Sequence, residues 1–576
     1  MESQQNIATK PMPKKSTRKT APTLRIIPLG GMEEVGRNMT VFEYEKDIVI
    51  LDMGIQFPEE DMPGIDYIIP SISYLKGKEK NIRAVIFSHG HLDHIGAAPL
   101  LLPKLGFPPV VGRDLTIAMI KKRMEDFEKN SAKRLDVIRI NSVNDRFNFG
   151  KFRVGFFNVE HSIIDSVGVI INTPQGTVIH PGDWTMEKSP INAQTLTYHH
   201  LAELPRPKIL MLESLGATNT SQKTVSEQEM HRNLEQLISQ AKGKVIIGTF
   251  ASQIKRINHL LEYAKQIGKK VALDGYSMKL NVEIARELGY IKNAKETIIP
   301  INNINKYPDE KIIVICTGAQ GEGNAVLSRI VSDNHKFVKI RKNDTVIFSS
   351  SVIPGNERTI QRLKDNLYRR CDNVIHSDIM DVHASGHCNS ESIKEIIKQI
   401  RPDFFLPVYA NHYILKEAAK LAVSDGFPEK NVFVLDNGSI IEFRNKEVKV
   451  LHKKADTGYV FVDGLGIGDI GEVVLRDRQA LSQDGMFVII AVIDRQLGKV
   501  KGSPDIISRG FVYLRESKEL LREVRRKVIA IVDKAANPDG TVSPDYIKEE
   551  IRNQIGEFLF IKTERRPMVL PVVIEV

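Results

Sequence analysis

Only three cysteines, Cys316, Cys371 and Cys388, occur in 576 residues, and none belongs to a CxxC pair. That argues against a disulfide framework and suits a reducing compartment. No apolar run approaches the roughly 20 residues that cross a bilayer. The start, Met1-Glu2-Ser3-Gln4-Gln5, is polar and lacks the apolar segment of a signal peptide. A cytoplasmic chain with no membrane partner is therefore expected. What is present is ordinary for a globular protein, with 42% hydrophobic and 26% charged residues. The length calls for about three or four domains. Net charge is +10. The first 22 residues carry five cations against the single anion Glu2 and are rich in Lys, Pro, Ser and Thr. Residues 1–22 are thus expected to be a disordered basic tail, either solubilising or in loose contact with nucleic-acid phosphates. A net positive charge fits a nucleic-acid substrate without establishing one.

The stretch that organises the rest is Ser88-His89-Gly90-His91-Leu92-Asp93-His94, which follows the apolar run Ala84-Val85-Ile86-Phe87. The run reads as a buried strand, so three imidazoles and a carboxylate crowd just past a strand end. A polar loop with chance histidines is the plain alternative. The crowding itself is simplest to explain by one or two divalent ions, because imidazole and carboxylate are their usual ligands. Two further ligand types recur just past strand ends, His161 after Phe152–Phe157 and Asp183 after Thr177–His180. A layered α/β sandwich that gathers ligands at one edge of two sheets would produce this repetition.

From Ile209 the rhythm changes to alternating strands and helices, which predicts a doubly wound parallel sheet inserted into the first fold. Its strands run into small and polar residues: Thr249-Phe250-Ala251-Ser252-Gln253, Thr317-Gly318-Ala319-Gln320-Gly321-Glu322 and Ser349-Ser350-Ser351. The carboxyl ends of parallel strands form a ligand crevice, and such loops offer donors to phosphate oxygens. A second histidine loop, Asp381-Val382-His383-Ala384-Ser385-Gly386-His387, returns the chain to the first fold. Residues 453–471, with five glycines, read as a linker. A final domain follows, with an apolar strand near Met486–Val492 and an amphipathic helix through Leu521, Val524, Val528 and Val532. Nothing in it reads as catalytic, and oligomerisation or an extended RNA path are its expected roles.

Taken together, these motifs resemble the ribonuclease J family of the metallo-β-lactamase superfamily, β-CASP group. The resemblance runs from about Leu24 to Val576. Its carriers include Gly30-Gly31…Glu34-Val35-Gly36-Arg37-Asn38, the Ser88–Gly96 loop, Thr249–Ser252, Cys316–Glu322, Ile353–Glu357, His383–His387, Ile506–Tyr513 and Arg565–Met568. The resemblance implies a metallo-β-lactamase αββα sandwich with an inserted doubly wound β-CASP domain and a small α+β C-terminal domain. The expected boundaries are 23–215 and 373–452 for the sandwich, 216–372 for β-CASP, 453–471 for the linker and 472–576 for the last domain. It implies a 5′-to-3′ exoribonuclease that favours 5′-monophosphorylated RNA and also cuts internally, assembled as a homodimer or homotetramer. Two divalent ions, zinc or manganese, would be held by His89, His91 and His161 on one side and Asp93 and His94 on the other, with Asp183 bridging. Glu213 and His387 resemble the β-CASP acid and the histidine that protonates the leaving oxygen, and Asp93 is also expected in catalysis. Ala251, Ser252, Gln253, His383, Ala384, Ser385, Gly386 and His387 resemble the segments that hold RNA phosphates and sugar.

One position departs from the pattern. Where the family reads Pro-(Val/Ile)-His-Gly-Glu, this chain has Pro407-Val408-Tyr409-Ala410-Asn411. A neutral phenol is a poor ligand for a divalent ion. Three outcomes stand open. His412 substitutes as a metal ligand; the second ion site is weak or needs substrate phosphate to fill it; or the site is lost and activity is low. A weakened second site leads to an alternative reading as a degenerate member acting mainly as an RNA-binding subunit. A small-molecule metallohydrolase shares the histidine loop but needs neither the inserted domain nor residues 383–387.

Overall fold

Strand residues that are apolar on both faces decide the layering of this chain. Ala84, Val85 and Ile86 are all buried, as are all five residues of Asp47–Leu51. In a computed structural model these strands lie inside a sandwich rather than on a wet face. The structure describes residues 22–59, 61–186, 196–220, 225–292, 296–321, 325–352, 356–512, 517–535 and 543–576. The expected tail, apart from Pro22, lies outside the described residues, as do Glu322, 353–355 and Tyr513.

The chain forms two compact units, one of residues up to Ile55 with Pro70–Gly458, the other of Gln56–Ile69 with Tyr459–Val576. In the first unit an eight-stranded sheet runs in the order Glu447–Val450, Ile441–Arg444, Leu24–Gly30, Met39–Tyr44, Asp47–Leu51, Ile82–Ile86, Val110–Gly112, Val137–Arg139. A six-stranded sheet runs Phe404–Val408, Lys208–Glu213, Gly176–His180, Val167–Thr173, Phe152–Asn158, Arg146–Phe149. One apolar core joins them, with Ile26, Phe42, Leu51 and Ile86 from the first and Val154, Val169, Val178 and Met211 from the second. The helices Ser390–Ile400 and His412–Ser424 add Ile393, Ile396, Leu415 and Ala418 to it. This is the αββα sandwich the resemblance implied.

The inserted sheet is parallel throughout and runs Ile298–Ile299, Lys270–Asp274, Ile312–Cys316, Val245–Thr249, Thr345–Ser349, Asn373–Ile375. Its strands show why it needs helices on both faces. Val245 and Ile247 join one core with the helices Glu227–Gln240, Ile254–Gln266 and Tyr276–Glu287, while Ile246 joins another with Val326–Val331 and Glu357–Tyr368. Side chains alternate across a strand, so an all-apolar strand feeds two cores. Asn373–Ile375 is the sixth strand of this sheet, which therefore passes the boundary expected at 372.

In the second unit, Met486–Asp494 pairs with Lys499–Val500 and Asp505–Arg509 antiparallel and with Met568–Glu575 parallel. Phe487, Ile489, Ala491 and Ile493 pack beneath the helices Lys518–Ala535 and Pro544–Thr563. The stretch read as a linker is not one throughout. Val460–Asp463 pairs with Gly466–Ile467 and with Tyr67–Ile69, a strand from the segment assigned to the sandwich. Phe461 buries with Ile65 and Ile68, so two distant apolar segments make one small core that local pattern does not reveal.

Candidate metal centre

The strand Ile82–Ile86 delivers the histidine loop, and the short helix Leu92–Ile95 follows at once. Gly54 makes this packing possible, since a Cβ there would lie 1.5 Å from the Asp93 carbonyl oxygen. The donor atoms of His89, His91, His161 and Asp183 all lie within 4.8 Å of one another, and so do those of Asp93, His94 and Asp183. Asp183 belongs to both groups. His91 Nδ1 is 3.1 Å from His89 Nε2 and 3.0 Å from His161 Nε2. Asp183 Oδ2 stands 3.7 Å from His89 Nε2 and 3.8 Å from His161 Nε2, and its Oδ1 is 3.3 Å from His94 Nε2. Tetrahedral bonds of about 2.0–2.1 Å place neighbouring ligand nitrogens roughly 3.3 Å apart, so the donors fit an ion with small adjustments.

The outward ring nitrogens show which atoms point inward as lone pairs. His161 Nδ1 faces the Gly386 carbonyl at 2.7 Å, which only accepts, so Nδ1 carries the proton and Nε2 is bare. Ser88 Oγ donates its one proton to Asp52 Oδ2 at 2.9 Å, so it accepts from His89 Nδ1 at 3.0 Å and leaves His89 Nε2 bare. His94 Nδ1 donates to Asp52 Oδ2 at 2.8 Å. Bare nitrogens 3 Å apart repel unless a cation lies between them, and this donor chemistry fits a divalent ion. Asp52 is fully buried and in the left-handed region (φ 62°), where the strand Asp47–Leu51 ends and the chain turns.

Three family profiles match the chain: "Metallo-beta-lactamase superfamily" over residues 32–217, "Ribonuclease J, beta-CASP domain" over 242–367 and "Ribonuclease J C-terminal domain" over 473–576. The chain is 36% identical to "Ribonuclease J2" of Bacillus subtilis over 560 residues, covering 97% of this chain and 100% of that protein. It is 36% identical to "Ribonuclease J 1" of Streptococcus pyogenes (95% of this chain, 97% of that one) and 34% identical to "Ribonuclease J 2" of Staphylococcus aureus (96% and 98%). The chain belongs to the ribonuclease J family. It is a metallo-β-lactamase and β-CASP protein of a hydrolytic nuclease family, and its fold implies divalent metals.

The electrostatics of the candidate centre follow from burial and crowding. Burial drives the imidazoles of His91 down to about 4 and His161 down to about 3, and takes His89 well below its ordinary value, so all three are neutral at pH 7. Burial opposes a charge on His94, yet Asp183, Asp93 and Asp52 together hold it well above its usual range. Beside this group, Glu213 Oε1 lies 3.7 Å from His387 Nδ1. Burial again opposes the charge, but Glu213, then Asp183 and Asp93, push His387 up to about 9.

Of the expected site residues, His89, His91, Asp93, His94, His161 and Asp183 come together, with Glu213 and His387 adjoining. The His161 and His387 rings are 5.7 Å apart. Ser252 Oγ is 3.0 Å from His91 Nε2. Asn281 Nδ2 holds the Ala251 carbonyl at 3.0 Å. Gln253 and Ala384 are buried, whereas Ser385 is exposed, its Oγ accepting from the His387 N–H at 3.1 Å. His383 accepts at Nδ1 from Arg256 Nη1 at 3.0 Å; burial and the Arg256 charge push it down to about 3.

His412 is not brought to the ion groups, which corrects the expectation that it replaces the missing ligand. It opens the helix His412–Ser424, with its side chain half exposed and its Nδ1 3.5 Å from Asp436 Oδ1. Its donor atoms group with Glu33 and Asp436 instead. Tyr409 takes the interior position. It is buried at φ 61°, its ring centroid 5.4 Å from that of His94 and 5.0 Å from that of His180. Among the described residues its hydroxyl finds no hydrogen-bond partner. Two groups that sequence reasoning missed also matter here. Asn38 Nδ2 lies 3.0 Å from His94 Nε2 and 3.3 Å from Asp93 Oδ2; its only signal was its place in the glycine-rich turn. The fully buried Arg256 had no signal, since a single Arg on a helix reads as surface.

Proposed function

We propose that this chain is a metal-dependent ribonuclease hydrolysing RNA phosphodiesters, a 5′-to-3′ exonuclease that prefers 5′-monophosphate ends and also cuts internally, in RNA processing and decay. The observation that carries this reading is the meeting of six ligand-type side chains from three separate segments, with Glu213 and His387 beside them. Membership of the ribonuclease J family supplies the substrate class. The centre takes two divalent ions, zinc or manganese, and the working form is a cytoplasmic homodimer or homotetramer.

When bound, such ions supply hydroxide at neutral pH and neutralise the phosphoryl oxygens. His89, His91, His161 and Asp183 would hold one ion, and Asp93, His94 and Asp183 the other. His387 carries its proton at pH 7 because Glu213 faces it, and it protonates the 3′-oxygen that leaves. Ser252, His383 and Ser385 bind the phosphates and sugar of the incoming strand. Replacing Asp93 or His94 by alanine is expected to abolish cleavage of 5′-monophosphorylated RNA while RNA binding remains. Full activity in both variants would overturn the proposal.

Tyr409 favours a second reading, a protein that acts mainly as an RNA-binding subunit. The second ion group has three protein donors where the first has four, and neither Tyr409 nor His412 supplies another protonatable ligand to it. On this reading the second ion is weakly held. Turnover of 5′-monophosphorylated RNA by the purified chain at saturating manganese separates the two readings.

A further inference from the structure

We infer that Ser252 and the Gly386 carbonyl are positioning groups for the ion-holding histidines His91 and His161, so that the three-histidine site is complete only with the inserted domain seated on the sandwich. The inference rests on the proposed metal-holding role of these histidines and extends it to groups contributed from 161 and 225 residues away.

Each histidine needs its outward nitrogen protonated for the inward one to be a bare donor. His89 and His94 obtain this from their own domain, through Ser88 and Asp52. His161 obtains it from Gly386, which only accepts. His91 is the open case. Its Nε2 meets Ser252 Oγ at 3.0 Å, and a hydroxyl either donates or accepts. With Nε2–H donated to Ser252, Nδ1 is bare and points at His89 and His161. In the other tautomer the proton sits where the ion belongs. Outer partners of this kind set ring orientation and tautomer in metal sites generally.

Ser252 belongs to the inserted domain, and the loop bearing Gly386 is tied to it. Ser252 lies in the turn between the strand Val245–Thr249 and the helix Ile254–Gln266, pinned where Asn281 holds Ala251 and where the Ile254 N–H donates to the Ser252 carbonyl at 2.8 Å. The loop bearing Gly386 is tied to the same domain at its start. Asn233 donates to the Asp381 carbonyl at 2.9 Å, Ser349 Oγ to the Val382 carbonyl at 2.7 Å, and Arg256 to His383 at 3.0 Å. Gly386 is required for the approach, because a Cβ there would lie 2.8 Å from Ser162 Cβ and 3.0 Å from His161 Cε1. Displacing the inserted domain would therefore withdraw Ser252 from His91 and pull on the start of the loop whose Gly386 carbonyl holds His161.

The test is zinc affinity of the full-length, chelator-stripped protein without RNA, read by competition with a chromogenic chelator. Ser252→Ala is expected to weaken the tightest site about 10–100-fold, and Ser252→Thr, which keeps the hydroxyl, to stay near wild type. Gly386→Ala should weaken it too, by pushing the loop off His161. Melting of the stripped proteins shows whether each variant folds; Ser252 is half-buried and its loss should leave the melting temperature unchanged. Because RNA is absent, a lost RNA contact cannot imitate the effect. If His89→Ala loses zinc while Ser252→Ala and Gly386→Ala keep it, the inference is wrong and the metal reading stands. If wild type and His89→Ala bind zinc alike, the metal reading itself fails.

Discussion

Asp52→Asn isolates one proton in this site. Asp52 accepts three hydrogen bonds, from Ser88 N at 2.8 Å, Ser88 Oγ at 2.9 Å and His94 Nδ1 at 2.8 Å. An asparagine of the same shape keeps one accepting oxygen, which the Ser88 amide retains. The new amide group then faces His94 Nδ1 and donates to it, so the imidazole proton moves to Nε2. That nitrogen points toward Asp93 and Asp183, at 3.4 and 3.3 Å. The substitution therefore keeps a hydrogen on the nitrogen that would face the proposed second ion, without opening a cavity. Outer-partner losses typically cost about 10–100-fold in metal affinity, or roughly 1.4–2.8 kcal/mol. Calorimetric titration of the stripped protein with manganese should show the weaker binding step lost or weakened by that factor, with the three-histidine step unchanged. Two wild-type binding steps in Asp52→Asn would refute the tautomer argument.

Tyr409→His should raise bound metal toward two ions per chain, measured by elemental analysis after dialysis; unchanged stoichiometry would show that Tyr409 does not limit the second site. In the metal-free protein His387 is raised above its unfolded value by Glu213. Its contribution to stability is therefore present below pH 6.5 and lost as pH rises through about 9. The melting-temperature gap between wild type and His387→Gln should accordingly narrow from pH 6 to pH 9.5, and a constant gap contradicts the pairing. Arg256→Met removes donors to the Ser349 carbonyl and to His383 Nδ1 and leaves Glu227 without its 3.1 Å partner. It should cost about 2–3 kcal/mol in urea unfolding, and a loss under 0.5 kcal/mol would show these bonds to be dispensable.

Much of the fold was legible because its signals are local. Apolar runs such as Ile312–Cys316 between helical patterns mark a parallel sheet wherever they occur, and Ser226 three residues before Glu229 marks a helix start, where its Oγ does accept from Glu229 N at 3.1 Å. Pairing between distant segments carries no such mark. Val460–Asp463 reads as part of a glycine-rich connector because its partner, Tyr67–Ile69, lies some 390 residues earlier and is three residues long. Asn373–Ile375 was cut from its sheet for the same reason, being a short edge strand beside Thr345–Ser349.

The site divides along the same line. Ligand types were readable from spacing within one loop and from their position after strand ends, because backbone geometry alone makes those side chains converge. The groups inferred to fix the tautomers of His91 and His161 were not, since Ser252 and Gly386 reach those histidines only through tertiary contact. His412 shows the limit most clearly. Three residues past Tyr409 is about one helical turn, which would stack the two side chains if the helix had already begun at 409. Tyr409 instead sits at φ 61°, outside any helix, and Asn411 caps the helix that opens at His412. The tyrosine packs beside His94, while the histidine faces Asp436. Helical spacing rescues a missing ligand only where the helix spans both positions, and here a single left-handed residue decides that it does not.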